Sequence, residues 1–223
     1  MARTLDPAAH AQRRDAFVDA GLRLITGKGY EQMSVQDVLN ELNSSRGAFY
    51  HYFDSKTALL DAVVERMVDV VLARLEPVVA DPRLPALEKL QRLFAGIADW
   101  KMERKELLRE FMNGWLADEN ALVRERFRRH TQLRLTPLLA EILRQGVAEG
   151  TFSVGSADHA ATVFVSLILA ANDAASRLAV DRRSLDEVVA TFTAYAEAFE
   201  RVLGIAPGSW PAPAAAILNY WFA

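Results

Sequence analysis

Cysteine is absent from the chain. With it go disulfides, thiolate nucleophiles and thiolate-ligated metals, and the absence suits a reducing compartment. Basic charge is not in excess either: 26 Lys and Arg stand against 29 Asp and Glu, for a formal net charge of −3. No bulk attraction draws such a chain to nucleic acid, so any DNA contact must come from a local surface. The N-terminal residues MARTLDPAAHAQRRD lack the apolar stretch of a secretory signal, and the longest apolar run, Ala160 to Ala171, is interrupted by Thr162 and Ser166. A soluble protein without a membrane span, residing in the cytoplasm, is the expectation. There is no phosphate-cradling glycine loop and no nucleophile elbow, and the four histidines, His10, His51, His130 and His159, are scattered. Neither a catalytic site, nor a metal site, nor a cofactor is expected from such a pattern, and an enzyme is the poorest reading.

What is there is apolar and periodic. Half of the 223 residues (51%) are hydrophobic, enough for a well-buried core. They recur at helical spacing almost throughout, so an all-α chain is expected. A first helix runs from about residue 12 to 28 with Phe17, Ala20, Gly21, Leu24 and Ile25 on one face, and Gly29 stops it. Ser34 and Asp37 form a capping box at the head of a second helix, Val35 to Leu42. After the turn Asn43-Ser44, Ser45 caps a short third helix from Arg46 to about Tyr50, which ends in the cluster Phe49, Tyr50, Tyr52, Phe53. Two short helices joined by a tight turn are a helix-turn-helix.

A fourth helix from about Ser55 is expected to end before Pro77, because proline lacks an amide and disfavours helix in the residue before it. Residues 80–85 read as a linker. Further helices follow at about 86–100, 104–117, 120–149, 157–178 and 185–203, with Gly150 and Gly204 as terminators, a second capping box at Ser184 and Glu187, and a kink at Pro137. The domains are then a helix-turn-helix domain over 1–60, a larger helical domain over 61–205, and a Pro/Ala-rich tail over 206–223. The tail's last apolar residues, Ile217 to Phe222, either dock on the protein or leave the segment loose.

Gly29-Tyr30-Glu31, Ser34-Val35-Gln36-Asp37-Val38, Ser45-Arg46-Gly47-Ala48-Phe49-Tyr50-His51-Tyr52-Phe53 and Ser55-Lys56-Thr57-Ala58-Leu59-Leu60 together resemble the N-terminal DNA-binding domain of the TetR (tetracycline repressor) family, over roughly residues 12–60. Gly146 to Phe152 adds a weaker echo at the end of the long helix. Ser44 departs from the pattern, standing where the family more often has a small apolar residue. The resemblance implies an N-terminal three-helix helix-turn-helix domain followed by a larger helical domain that binds a ligand and pairs two subunits. It also implies a transcriptional regulator, a repressor released from its operator by a small molecule. Under the same resemblance Tyr50, His51 and Lys56 contact phosphates, and Ser34 and Ser45 add bonds at helix starts.

The chemistry of the residues agrees. Arg46, at the start of the second helix of the motif, is the candidate for direct readout, because a guanidinium makes two bonds to guanine, worth about 1–3 kcal/mol of discrimination. Gly47 and Ala48 leave room for close approach, and the Ala48 methyl can meet a thymine methyl. Phe49 and Phe53 read as core. Lys56 places charge at a helix start already favourable to anions. Residues 1–60 nevertheless hold seven basic residues (Arg3, Arg13, Arg14, Arg23, Lys28, Arg46, Lys56) and seven acidic ones (Asp6, Asp15, Asp19, Glu31, Asp37, Glu41, Asp54). Binding to double-stranded DNA therefore requires folding to sort these charges, and a homodimer on a near-palindromic site to double the phosphate contacts.

In the larger domain Trp100, Phe111, Met112, Trp115, Phe127 and Phe164 either line an effector pocket or form ordinary helical core. Asn113, Asn172 and Asp173 are polar among apolar neighbours and either orient a ligand, satisfy one another or sit at a subunit seam. The basic run 123–129 is either a solvated helix face or a surface for an anionic ligand. The last two helices are apolar on more than one face, which a four-helix seam between subunits would cover. A ligand would then act by favouring a spacing of the two DNA-binding heads that mismatches successive major grooves, about 34 Å apart. The competing reading is a helical ligand-binding or adaptor protein without operator-specific binding.

Overall fold

The computed structural model describes residues 7–103 and 115–210, with side chains described outside 100–103. Every regular element among the described residues is helical: α1 Pro7–Lys28, α2 Val35–Glu41, α3 Arg46–Tyr52, α4 Lys56–Ala80, α5 Ala86–Glu103, a 3₁₀ turn Asp118–Asn120, α6 Ala121–Ala148, α7 Ala157–Val180 and α8 Leu185–Leu203. The caps read from sequence are built. Ser34 and Ser184 each head a reciprocal capping box, with Asp37 and Glu187 respectively. Gly29, Gly150 and Gly204 take up left-handed backbone at helix ends, with φ of 84°, 72° and 64°, where a side chain would be strained.

Two expectations change. α1 begins at Pro7 rather than near residue 12. Proline suits a first helical position, and the apolar stripe starts only at Phe17, so periodicity alone misses about the first turn and a half. α4 does not stop before Pro77 but runs through it to Ala80. Pro77 lies exposed near the end of the helix while Leu72, Leu75 and Val79 are buried. The buried Lys89 ammonium donates to the Val79 carbonyl at 2.6 Å, a charged cap at the negative end of the helix. Burial and that cap offset the one backbone bond proline deletes.

The contacts gather into two units, one of residues up to Met67 with a second stretch ending at Phe127, the other from Val68 and again from Arg128 onward. In the first, Phe17, Val18, Ile25, Val38, Leu39, Phe49, Leu59, Leu60 and Val63 make a closed core. Gly21 lets α1 approach α4: a Cβ there would lie 3.1 Å from Val63 and 3.2 Å from Leu59. The stretch around Asn120 is bonded into this unit. Asn120 Oδ1 accepts from the Tyr30 amide at 2.8 Å, its Nδ2 donates to the Ile25 carbonyl at 3.4 Å, and the Glu31 amide donates to the Glu119 carbonyl at 3.2 Å. Residues some ninety positions away thus bind the C-terminal end of α1, where the Ile25 carbonyl also accepts from the Gly29 amide at 3.0 Å.

In the second unit α7 and α8 pack along each other. The last turn of α6 is cut to fit Phe152 from the turn that follows, since a Cβ on Gly146 would come within 2.0 Å of that ring. α7 is long and apolar enough to cross a membrane by length and composition, yet Asp173 within it accepts from Arg128 on α6 at 2.6 Å.

Candidate nucleic-acid interface

α3 is seven residues long and is fixed at its two ends and along one face. Ser45 Oγ accepts from the Ala48 amide at 3.2 Å, and the Phe53 amide donates to the Phe49 carbonyl at 3.0 Å. Phe49 is fully buried, with its ring centroid 5.7 Å from Phe17 and 5.8 Å from Phe53. With these rings turned inward, the helical period turns Arg46, Gly47, Tyr50 and His51 outward, and all four are exposed. Tyr50 is 47% exposed although it meets Phe49 edge-on. The Arg46 side chain makes no hydrogen bond or ion pair with another described residue. A Cβ on Gly47 would meet nothing within 4 Å, so this glycine serves no packing need and leaves the helix surface open to close approach.

The flanking residues are committed to different degrees. Ser34 Oγ lies 2.6 Å from Asp37 Oδ2 and accepts from the Asp37 amide. Lys28 lies 2.7 Å from that same carboxylate oxygen. The Lys28 ammonium, with the Ser34 hydroxyl and amide, holds the Asp37 carboxyl well below the ordinary carboxylate range. Lys56 stands 4.2 Å over the Tyr30 ring and donates to the Glu31 carbonyl at 3.4 Å. Tyr30 is held in turn by Thr57, 3.3 Å from its hydroxyl.

Folding resolves the even charge count of the first sixty residues by pairing. Asp15 and Asp19 both take Arg66, Glu41 takes Arg23, and Asp37 takes Lys28. Arg13, Arg14, Arg46 and Lys56 are left without a carboxylate partner among the described residues. Arg13 donates to Ser44 Oγ at 3.1 Å, beside the start of α3, and Arg14 lies 5.4 Å over the Phe53 ring. His10 joins them, its ring 5.5 Å from His51 and 4.7 Å from Tyr52. His10, Arg13 and Arg14 were missed as site residues; their i, i+3, i+4 spacing on a helix that starts at Pro7 is the signal that places them together. Ser44, the departure from the pattern, is the acceptor for Arg13.

The expected effector residues that the structure describes are distributed over both units. Phe111 and Met112 lie outside the described residues, as do Asn113 and the side chain of Trp100. Trp115 and Phe127 meet edge-on at 5.4 Å against the core of the first unit. Phe164 is fully buried in the second, and Asn172 and Asp173 are half-buried there on α7. The basic run 123–129 is largely used internally: Arg124 binds the Trp115 and Ala117 carbonyls, Arg126 binds Asp61, and Arg128 binds Asp173.

Residues 17–63 match the pattern described as bacterial regulatory proteins, tetR family. The transcriptional regulator AcuR of Cereibacter sphaeroides is 32% identical over 151 residues, 65% of this chain and 65% of AcuR, so the match spans just under two thirds of that relative. The HTH-type transcriptional repressor KstR2 of Rhodococcus jostii is 25% identical over 157 residues, 66% of this chain and 71% of KstR2. Among solved structures, SmeT in complex with triclosan superposes with a TM-score of 0.64 over 92% of this chain and 97% of SmeT, at 18% identity, a likeness of fold.

Proposed function

We propose that this chain, whose residues 17–63 match the tetR family of bacterial regulatory proteins, is a DNA-binding transcriptional regulator, a repressor released from its operator by a small-molecule effector. The observation that carries this reading is α3 itself. A helix locked by Ser45, Phe49 and Phe53 presents Arg46, Gly47, Tyr50 and His51 to solvent, flanked by Arg13, Arg14 and Lys56 without carboxylate partners. Arg46 reads a base edge, Gly47 and Ala48 admit the groove, and Tyr50, His51 and Lys56 hold phosphates, with Ser34 and Ser45 at helix starts.

Two copies pair through α7 and α8. Val163, Val180, Leu185 and Val189 remain 49, 44, 38 and 37% exposed on these helices in the single chain. Covering such side chains is worth about 1.5–3 kcal/mol each when burial is complete. Pairing gives the twofold symmetry a near-palindromic operator matches. The effector lowers operator affinity by its differential affinity for the two states and by no more than that. SmeT with triclosan supports a small organic effector by likeness of fold. The protein works in the cytoplasm, where its DNA is.

The test is to mix purified protein with fragmented DNA from its source organism at moderate salt and sequence what is retained. One near-palindromic site is expected, lost with Arg46→Ala and Tyr50→Ala. No enrichment by the intact protein would sink the operator reading and leave a helical ligand-binding or adaptor protein.

A further inference from the structure

Three phenylalanines from three helices of the second unit, Phe94 on α5, Phe164 on α7 and Phe199 on α8, converge with ring centroids 4.7–6.2 Å apart. A fourth ring, which belongs to no helix, fills the chamber that these three rings wall. Trp210, six residues beyond the Gly204 cap, folds back so that its ring lies 4.9 Å from Phe94, 5.3 Å from Phe199 and 5.9 Å from Phe164, and it is 7% exposed. Its tethers are few. Its amide donates to Glu200 Oε1 at 2.8 Å, and the Ser209 amide donates to the Ala206 carbonyl at 3.1 Å in a turn through Gly208, at φ 82°. Glu200 is only 6% exposed, and the Trp210 amide is the one donor to its carboxylate among the described residues.

We propose that this aromatic chamber is the seat of an aromatic effector carrying an N–H or O–H donor on its ring edge, and that Trp210 is its built-in competitor. Contact with three phenyl rings, edge-to-face with Phe94 and Phe164 and tilted with Phe199, selects a planar ring. A buried carboxylate with a single donor demands that the occupant supply hydrogen-bond donors, and it repels a ring bearing a carboxylate or phosphate. Phenols, indoles and anilines meet both conditions. The three walls stand on helices with their own hydrogen-bond ladders, whereas the 205–210 segment is held by a turn, the Ile205 amide on the Glu200 carbonyl at 3.1 Å and one side-chain bond, so it is the part that opens at least cost. An effector that must displace Trp210 binds with its intrinsic affinity reduced by the fraction of molecules in which the chamber is open. The proposal deepens the effector-responsive reading above and rests on it for its regulatory meaning.

Indole and phenol are the probes, titrated calorimetrically into the full chain and into Trp210→Ala, with amide hydrogen exchange over 205–210 followed in the unsubstituted protein. Saturating probe is expected to raise exchange at Trp210, whose amide loses its acceptor. Trp210→Ala is expected to bind at least about tenfold more tightly, the reciprocal of an open population of about 10% or less, while benzoate binds neither protein. A Trp210 that merely completes the core gives a different result: the probes fill the vacated space in Trp210→Ala but leave exchange over 205–210 unchanged in the unsubstituted chain. That outcome, or no binding by either protein, overturns the proposal. Operator retention measured on the same sample separates the two readings, because loss of DNA binding sinks the regulator while the exchange result still decides the chamber.

Discussion

Single residues divide into those the fold needs and those it leaves free, and Gly47 is the clearest of the free ones. A glycine inside a helix costs about 0.5–1 kcal/mol relative to alanine, and nothing lies within 4 Å of the Cβ that would replace that loss. Gly47→Ala is therefore expected to leave thermal stability unchanged or slightly raised while weakening operator binding, as read by a melting curve beside a fluorescence-anisotropy titration. Stability and binding falling together would mean that the glycine serves the fold. Asn120 is the opposite case. It is 4% exposed and bonds the Tyr30 amide and the Ile25 carbonyl; the carbonyl keeps the Gly29 amide at 3.0 Å without it, but the Tyr30 amide left buried without a partner costs about 1–3 kcal/mol. Asn120→Ala should lower the unfolding free energy read by urea titration by that order; an unchanged midpoint would show that water takes over the Tyr30 amide.

At the scale of elements, α2 hangs on its capping box, which has a pH signature. The Asp37 carboxyl is lowered from its ordinary value of 3.8 by the Lys28 ammonium and by Ser34. A carboxyl lowered on folding adds stability that is fully present above its unfolded value and is lost as the pH falls through the folded one. The stability gap between the unsubstituted chain and Asp37→Asn is thus expected to be constant near neutrality and to close only on acidification below 3.8. Denaturant titrations at neutral pH and at about pH 3, near the lower end of the unfolded carboxylate range, check this. A gap that closes nearer neutrality would assign it to another group. The side chain is exposed, so the effect is small, and it belongs to the box rather than to a general attraction between charges.

For the whole molecule, the even charge count makes pairing matter. Each copy brings few cations to DNA, so a monomer should bind weakly and with a shallow salt dependence, while a dimer doubles the phosphates neutralised. Val163→Asp combined with Val189→Asp alters two exposed positions and should leave each chain folded but unpaired. Sedimentation is expected to give the monomer mass, and the slope of log affinity against log salt should fall by about half. A dimer that survives both charges would place the seam elsewhere. The apolar exposure of α7 and α8 in one chain is what a symmetric interface between two would cover.

Much of this was legible in the residues because it depends on neighbours in sequence. Caps at Ser34, Ser45 and Ser184, terminators at Gly29, Gly150 and Gly204, the inward Phe49 and Phe53 and the outward Arg46 and Tyr50 all follow from interactions within about one helical turn. What depended on distant partners was not legible. No local rule carries α4 through Pro77, since Lys89 and the burial of Val79 decide it. None sends Asn120 to the end of α1, turns the basic run around Arg124 into internal clamps, or folds Trp210 back onto Phe94 and Phe199. The sorting of charge is the same kind of result: composition alone makes the first sixty residues neutral. Only tertiary pairing, which spends the carboxylates of Asp15, Asp19, Asp37 and Glu41 on Arg66, Lys28 and Arg23, leaves cations beside α3. Local chemistry determined which helix can face DNA, and long-range contacts, whose partners no spacing encodes, decided what charge and which rings surround it.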